Sequence, residues 1–514
     1  MMRQPTPIVR GQAASIQAPT MGWNARDSQD NMKPGFAIQL DNIFPQTNFA
    51  KLRSGFVQFC DTGQAGNVYL IEWAASNGQL LAAVGGKIFN ITSGSATQLA
   101  TGYGSDNWSY TSFSTSGAQY TLAVNGVDTG WRYNGSSLTP LVYTGPTNPL
   151  SLVCIHAQRP FYAEANTLKV WYPDAGTFQG SPMTAFDFGP FCVRGGTIAA
   201  IGTWTRDNGY GGADDLFVVV TTEGEILIYN GFDPNSSSTW FLVGRFLAGR
   251  PVSGKYALSR LGPDLMLICE DGFQPLSTYL ETGRSQASRV AISTNIGNAV
   301  SQAVAQGSSL PGWCALLYPK GTQIIVNVPQ GGSTFHQYVV NTITGAWCRY
   351  IGMNAVSWAL SGGAPFFGGT DGRVYLADRG YSDNGADIVG ELRTAYQYIG
   401  GRGQQKRFTM ARPNLQTTYP LDFALVAETD FRTSSNLTAP SNNIGGNTSG
   451  SLWDTAVWGT DVWGAGQESG AIQATWRNVN GLGYSVSLHM KFATHSIGVN
   501  IMAFDMTYEG GLFI

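Results

Sequence analysis

Charge is scarce in this chain. Asp, Glu, Lys and Arg make up 12% of its 514 residues, against about 25% in ordinary globular domains. A chain unable to fold shows the reverse, with high charge and little hydrophobicity. Here the hydrophobic fraction is 43% and the aromatic fraction 12%. The net charge of −3 and a pI near 5.8 lack the basic footprint of a dedicated nucleic-acid binder. No run of about 18 apolar residues occurs, so no stable helical membrane insertion is expected. Residues 1–11 carry Arg3 and Arg10 without an apolar stretch, so a Sec signal is not expected either.

Recognisable chemistry is equally sparse. The six cysteines (Cys60, Cys154, Cys192, Cys269, Cys314 and Cys348) are far apart with no CxxC pair, the pattern of free thiols in a protein assembled in a reducing cytoplasm. His156, His336, His489 and His495 do not cluster, so no metal site is expected. There is no GxSxG nucleophile elbow and no phosphate-cradling GxxxxGK[ST] loop. Asp214, Asp215, Glu223, Glu225, Glu270 and Asp271 could supply the acid and base of a glycoside hydrolase. They sit where strands begin or turn, however, the usual place for solvated carboxylates. The Ser-x-Asp-x-Gly-x-x-Trp boxes of sialidase propellers are absent. The expectation is a non-enzyme without catalytic residues, metal or cofactor.

What the chain has is glycine, 65 residues of it, nearly twice the usual share of about 7%. Such a composition suits a turn-rich β protein whose weakly charged surface costs little to desolvate against other subunits. One pattern recurs between about residues 66 and 380: a β-branched or aromatic run, a Gly, Asn or Asp turn, then a second run. It occurs at 79–92 (QLLAAVGGKIFNIT), 119–134, 159–172, 215–230 (DLFVVVTTEGEILIYN), 264–277, 322–350 and 365–378. The spacing of roughly 40–60 residues is close to that of propeller blades, small sheets that are stable only when stacked on neighbours. The first run of each pair is expected to be an inner strand. The apolar spacing in 285–307 predicts a helix.

The expected fold is therefore all-β, with three parts. Residues 1–65, interrupted by Pro5, Pro7, Pro19, Pro34 and Pro45, read as an extended N-terminal arm. Residues 66–385 read as a β-propeller-like core. Residues 386–514 read as a C-terminal β-sandwich or platform with a long polar loop at 431–451, a candidate tip or constriction. The candidate interface residues are Trp453, Trp458 and Trp463, evenly spaced, and Arg402, Arg407 and Arg412 from the chain's main basic cluster. The tryptophans could stack on sugars or pack on a neighbouring subunit. The arginines could touch DNA phosphates or pair with acids across a subunit boundary.

Several segments together suggest a family. Residues 22–32 (GWNARDSQDNM), 40–45 (LDNIFP) and 52–55 (LRSG) resemble the opening of a family of virion proteins of short-tailed phages (podoviruses). The segments 406–413 (KRFTMARP), 476–484 (WRNVNGLGY) and 504–511 (FDMTYEGG) are similar to that family's ending. The segments 201–204 (IGTW), 225–229 (EILIY) and 347–352 (WCRYIG) resemble tail hub or nozzle proteins. The resemblance implies a propeller-containing tail tube or nozzle subunit in a ring, expected to be a homo-hexamer below the portal. Its expected partners are the head-to-tail adaptor protein, tail fibres or spikes, and double-stranded DNA in transit. Its expected place is the virion tail, after assembly in the bacterial host cytoplasm. The alternative is a glycan-degrading or glycan-binding tail protein (depolymerase or lectin).

Overall fold

In a β-strand successive side chains point to opposite faces, so an apolar run without polar alternation must be covered on both sides. Many strands of this protein have that character. The computed structural model describes residues 11–73, 78–207, 213–262, 264–277, 291–433, 437–442 and 471–511. They are dominated by β-strands, with an α-helix at Gly297–Gly307. The chain divides into two compact units: one of 58–337 with 353–377, the other of 1–57, 338–352 and 378–514.

The first unit is a succession of small antiparallel sheets. Four have four strands each and occupy 69–101, 109–140, 150–187 and 198–247 in chain order. A three-stranded sheet follows at 258–275, then, sixth in order, the strands Cys314–Tyr318 and Gln323–Gly331, which belong to a ten-stranded sheet. In the seventh, Ala355–Ser361, Ala364–Gly369 and Arg373–Ala377 are joined by Phe56–Asp61 from near the start of the chain. All seven hairpins read from the sequence are present, but as the second and third strands of their sheets. The strand preceding each pair packs against neighbouring sheets: Leu150–His156, for example, lies against both Ser109–Ser114 and Ile198–Asp207. The first run of each pair is an interior strand of its sheet, with a paired neighbour on both sides.

Single strands serve two cores at once. In Gln79–Val84, Leu80, Ala82 and Val84 pack with Ala359, Phe366 and Val374 of the seventh sheet. Leu81 and Ala83, pointing the other way, pack with Trp108, Ala123 and Trp131 of the second. In Ala213–Thr221, Val218 and Val220 join Leu265 and Leu267 of the fifth sheet, while Phe217 and Val219 join Phe161 and Tyr172 of the third. Burying each such Leu, Val or Phe side chain contributes about 1.5–3 kcal/mol. The sixth sheet touches the fifth and seventh through Cys314–Tyr318. The packing order thus returns to its start.

The seam between the seventh and first sheets is closely fitted. A Cβ on Gly368 would lie 2.1 Å from the Val68 carbonyl oxygen. Val68 N–H donates to Gly369 O at 3.0 Å, Ser357 Oγ donates to Val68 O, and Leu70 N–H donates to Ser357 Oγ, both at 2.9 Å.

The second unit contains two groups of strands. One runs Ala471–Gln473, Lys406–Thr417, Val499–Gly510, Ala50–Leu52, Ile43–Pro45, with Gln12–Gln17 also paired to Val499–Gly510. The other runs Trp347–Tyr350, Phe36–Asp41, Ile388–Thr394, Val486–Thr494, Ala424–Thr429. The expected N-terminal arm 1–65 is therefore not a separate part. Its strands complete sheets begun by the C-terminal third, because a chain with so many prolines buries its apolar residues by pairing with strands formed elsewhere.

Two further expectations change. The helix expected over 285–307 is described only as Gly297–Gly307, after a 3₁₀ turn at Thr294–Ile296; 281–290 lie outside the described residues. The polar loop 431–451 is anchored in its middle. Ser441–Asn442 pairs with Ala493 and Thr494, and the buried Asn442 donates to Asp422 O and Ala493 O and accepts from Asp422 N–H.

Candidate functional site

Four of the segments that carry the family resemblance, 22–32, 40–45, 52–55 and 347–352, meet inside the second unit. In LRSG, Arg53 is buried to 1% exposure, and its guanidinium makes five hydrogen bonds. Two go to Asp383 Oδ1 (2.7 Å) and Oδ2 (2.5 Å), and the others to Asn42 Oδ1, Ser54 O and Ile351 O. A planar fork matched to a carboxylate is what makes arginine suitable for a buried ion pair. Asn42, from LDNIFP, adopts a left-handed backbone (φ 58°), donates to Val389 O and accepts from Ile351 N–H. A Cβ on Gly55 would stand 1.8 Å from Ser382 O. Only glycine fits there.

The neighbouring motif residues extend this network. Asp41, 2% exposed, takes both hydrogen bonds of the Arg349 fork at 2.7 Å. The Arg349 guanidinium also lies over the Trp23 ring, 5.6 Å from its centre, and Trp23 meets Tyr338 edge to face. Trp23 Nε1–H donates to Ile38 O, and Asn24 Oδ1 accepts from Arg26 and Asp27 N–H. The resemblance segments at 22–32, 40–45, 52–55 and 347–352 are thus connected, through a core that includes the buried Trp23, Asp41, Asn42 and Arg53.

The strands beyond Phe36–Asp41 bring a second ionic cluster together. Antiparallel register sets Glu391 opposite Lys491 and Arg393 opposite His489. His489, fully buried, has Glu391 at 2.9 Å on Nε2 and Glu428 at 3.2 Å on Nδ1, while Lys491 Nζ is 2.9 Å from Glu391. Burial opposes ionisation of Glu391, but the His489 and Lys491 contacts win and hold it down at about 2. Burial likewise opposes the charged form of His489, and the two glutamates outweigh it, raising its value. The sequence places no carboxylate near His489 because its partners lie about 60 and 100 residues away; only strand register joins them. His495 pairs with Asp387 at 2.6 Å. Among the described residues no cluster of His, Cys, Asp and Glu could hold a metal ion.

The expected interface arginines stand on the same unit. Arg402 lies over the Tyr398 ring and 3.7 Å from Asp30. Arg412 pairs with Asp505 at 2.9 Å and covers the Trp476 ring. Both are engaged within their own chain. Arg407 is exposed, opposite Glu509 in register. Trp453, Trp458 and Trp463 lie outside the described residues.

The carboxylates considered for acid–base work act as loop anchors in the first unit. Glu225, 3% exposed, accepts Val193 and Arg194 N–H at 2.9–3.0 Å. Asp271 accepts Gly249 N–H at 2.7 Å. Two acids not singled out from the sequence do the same: Asp128 accepts Gly104 and Ser105 N–H, and Glu164 accepts Thr147 and Asn148 N–H. Each sits at the turn between the second and third strands of its sheet and holds the connection arriving from the preceding sheet. Burial would raise Glu164, but these amides and the Trp171 indole hold it below the usual range. Of the others, Glu223 pairs with Arg250 at 2.8 Å, Asp215 accepts from Thr205 Oγ1, and Glu270 accepts weakly from Arg250 N–H at 3.4 Å. The Asp214 side chain lies outside the described set. His156 is a buried aromatic of the third-to-fourth sheet core, its Nε2–H donating to Gly231 O at 2.7 Å.

Comparison with known proteins places the chain in no named group. No family model matches the sequence, and no curated protein matches. Among solved structures, the computationally designed Ika8 protein is 15% identical with a TM-score of 0.35, over 66% of this chain and 96% of that one. BBS1N, solved in complex with ARL6DN, is 11% identical with a TM-score of 0.39, over 63% of this chain and 97% of that one. Values this low say nothing of function.

Proposed function

We propose that this chain is a structural subunit of the tail of a short-tailed phage, one copy of a tube or nozzle ring that conducts DNA at ejection. In this reading the first unit is a seven-bladed β-propeller, closed by pairing the early strand Phe56–Asp61 with the last three strands of the ring. The second unit is a β-sandwich that incorporates the N-terminal strands. The observation that carries the proposal is the convergence of four of the resemblance segments, 22–32, 40–45, 52–55 and 347–352, on the Arg53–Asp383 and Asp41–Arg349 networks. Residues scattered over more than three hundred positions serve one hydrogen-bonded framework, as expected of motifs with an architectural role. The loop-anchoring carboxylates favour a structural role over the glycan-degrading alternative, since main-chain amides hold Glu225 and Asp271 and an ion pair holds Glu223.

The two cavities described below within the first unit, about 580 and 360 Å³, are the size of small-molecule sites. Duplex DNA, whose major groove alone is about 12 Å wide, does not fit either. A conduit would then be built between copies, around the axis of a closed ring of heterologous contacts. The purified protein, alone or with its adaptor, is expected to form closed rings, six-membered in this reading, by size-exclusion chromatography with mass measurement and negative-stain imaging. A monomer that cleaves capsular or lipopolysaccharide sugars would overturn the proposal.

A further inference from the structure

A lysine without a carboxylate partner lies between two cavities of the first unit. Lys255 lines both the wider space of about 580 Å³ and a narrower one of about 360 Å³. Its ammonium donates to Ser151 O at 2.9 Å and more weakly to Val124 O at 3.5 Å. No ion pair to it occurs among the described residues. The adjoining chain is tied across the sheets: Ser253 N–H donates to Ser308 O at 2.6 Å and Tyr256 Oη to Trp108 O at 2.7 Å. The ammonium is thus held in place by fixed main-chain groups, with one proton left over.

The narrower cavity supplies no firm counter-charge, and the wider one holds a single carboxylate, Glu270, with no ion pair to Lys255 among the described residues. On the narrower side stand Tyr69, Glu72, Tyr110, Tyr256, Arg260 and Cys314. Burial pushes Glu72 upward toward its neutral acid, and it raises Tyr110 to about 12 and Cys314 to about 12. On the wider side stand Arg250 and Glu270, the Glu270 carboxylate lying toward the Arg250 main-chain N–H. Around them are hydroxyls, Ser253, Ser308 and Ser309, for which no side-chain hydrogen bond occurs among the described residues. Burial pushes Lys255 down to about 7, because nothing in the fold repays the desolvation of its charge.

We infer that the wider cavity binds a small phosphate-type oxyanion, seated against the Lys255 ammonium and the Ser253, Ser308 and Ser309 hydroxyls, with Arg250 at its edge. A cavity with a half-buried cation, several hydroxyl donors and a wall of mixed polar and apolar character has the chemistry for an oxyanion and lacks the aromatic platform of a sugar site. Binding takes up a proton near neutral pH, since the anion stabilises the charged amine. This inference is independent of the tail-ring proposal and survives if that proposal fails.

Isothermal titration of the full-length protein tests it, with pyrophosphate as one probe and a thymidine dinucleotide as another to separate free phosphate from a nucleic-acid backbone. Binding of either probe is expected at about pH 6 and to be roughly thirty-fold weaker at about pH 8.5, the ratio of the protonated fractions of Lys255. At about pH 7.5 the heat should depend on buffer ionisation enthalpy. Lys255→Met should abolish binding, whereas Lys255→Arg, charged at every such pH, should retain it without the pH dependence. Absence of binding to folded wild-type protein at about pH 6 overturns the inference. So does affinity indifferent to pH, or undiminished in Lys255→Met. If Lys255→Met does not fold, the wild-type pH comparison and Lys255→Arg still decide.

Discussion

Arg53 shows how much one side chain can hold. Its five hydrogen bonds join residues 42, 54, 351 and 383, and at 1% exposure no water can replace them. Truncation would leave the largely buried Asp383 carboxylate without its cation, which typically costs about 3–5 kcal/mol. Arg53→Ala should therefore lower the urea midpoint strongly. Arg53→Lys should rescue only part of the loss, since an ammonium cannot reproduce the fork. A midpoint within error of wild type for Arg53→Ala would refute this role. At the same scale, Glu391 predicts an acid dependence. Its value falls from 4.5 unfolded to about 2 folded, so its contribution is present above about pH 4.5 and fades as pH drops toward 2. Glu391→Gln should remove about 2–3 kcal/mol of that slope in urea melts repeated across the range. His489 has the opposite sign. With its folded value raised, its contribution is full below its ordinary 6.5 and is lost as pH rises through the folded value.

At the scale of elements, the anchoring carboxylates and the seam determine how one sheet meets the next. Glu225→Gln keeps the shape but loses the charge that accepts two main-chain N–H groups, and should destabilise by about 1–3 kcal/mol. Glu225→Ala should cost more, since it leaves buried donors without an acceptor. Equal melting midpoints for wild type and Glu225→Ala would show that the loop 193–194 is held by other means. Gly368→Ala would force a methyl group to within 2.1 Å of a backbone oxygen, where no side chain can move aside. It should open the seam between the seventh and first sheets, read as faster amide exchange at Val68 and Leu70 and a lower melting temperature. Hairpin sequences reveal that these elements exist, because turn residues and apolar alternation are local. They do not reveal that one strand's two faces serve two different cores.

For the whole molecule, the test is assembly. Arg402 and Arg412 are already engaged with Asp30 and Asp505 of their own chain, whereas Arg407 is exposed opposite Glu509. Exposed arginine is enriched at protein interfaces, so Arg407→Glu should impair ring formation in size-exclusion chromatography more than Arg412→Glu impairs it relative to the loss of monomer stability. Rings unaffected by Arg407→Glu would remove this residue from the interface.

The sequence by itself determined the all-β character and seven hairpins, since strand period and turn chemistry act over a few residues. It also marked 22–32, 40–45, 52–55 and 347–352 as unusual without showing why. Only the tertiary structure decided that these segments meet, that 11–57 complete the C-terminal sheets, and that Glu391 and Glu428 flank His489. Each of those facts rests on pairing between strands far apart in the chain. A contact of that kind is selected by the free energy of burying both partners together, a quantity that neither stretch of sequence carries alone.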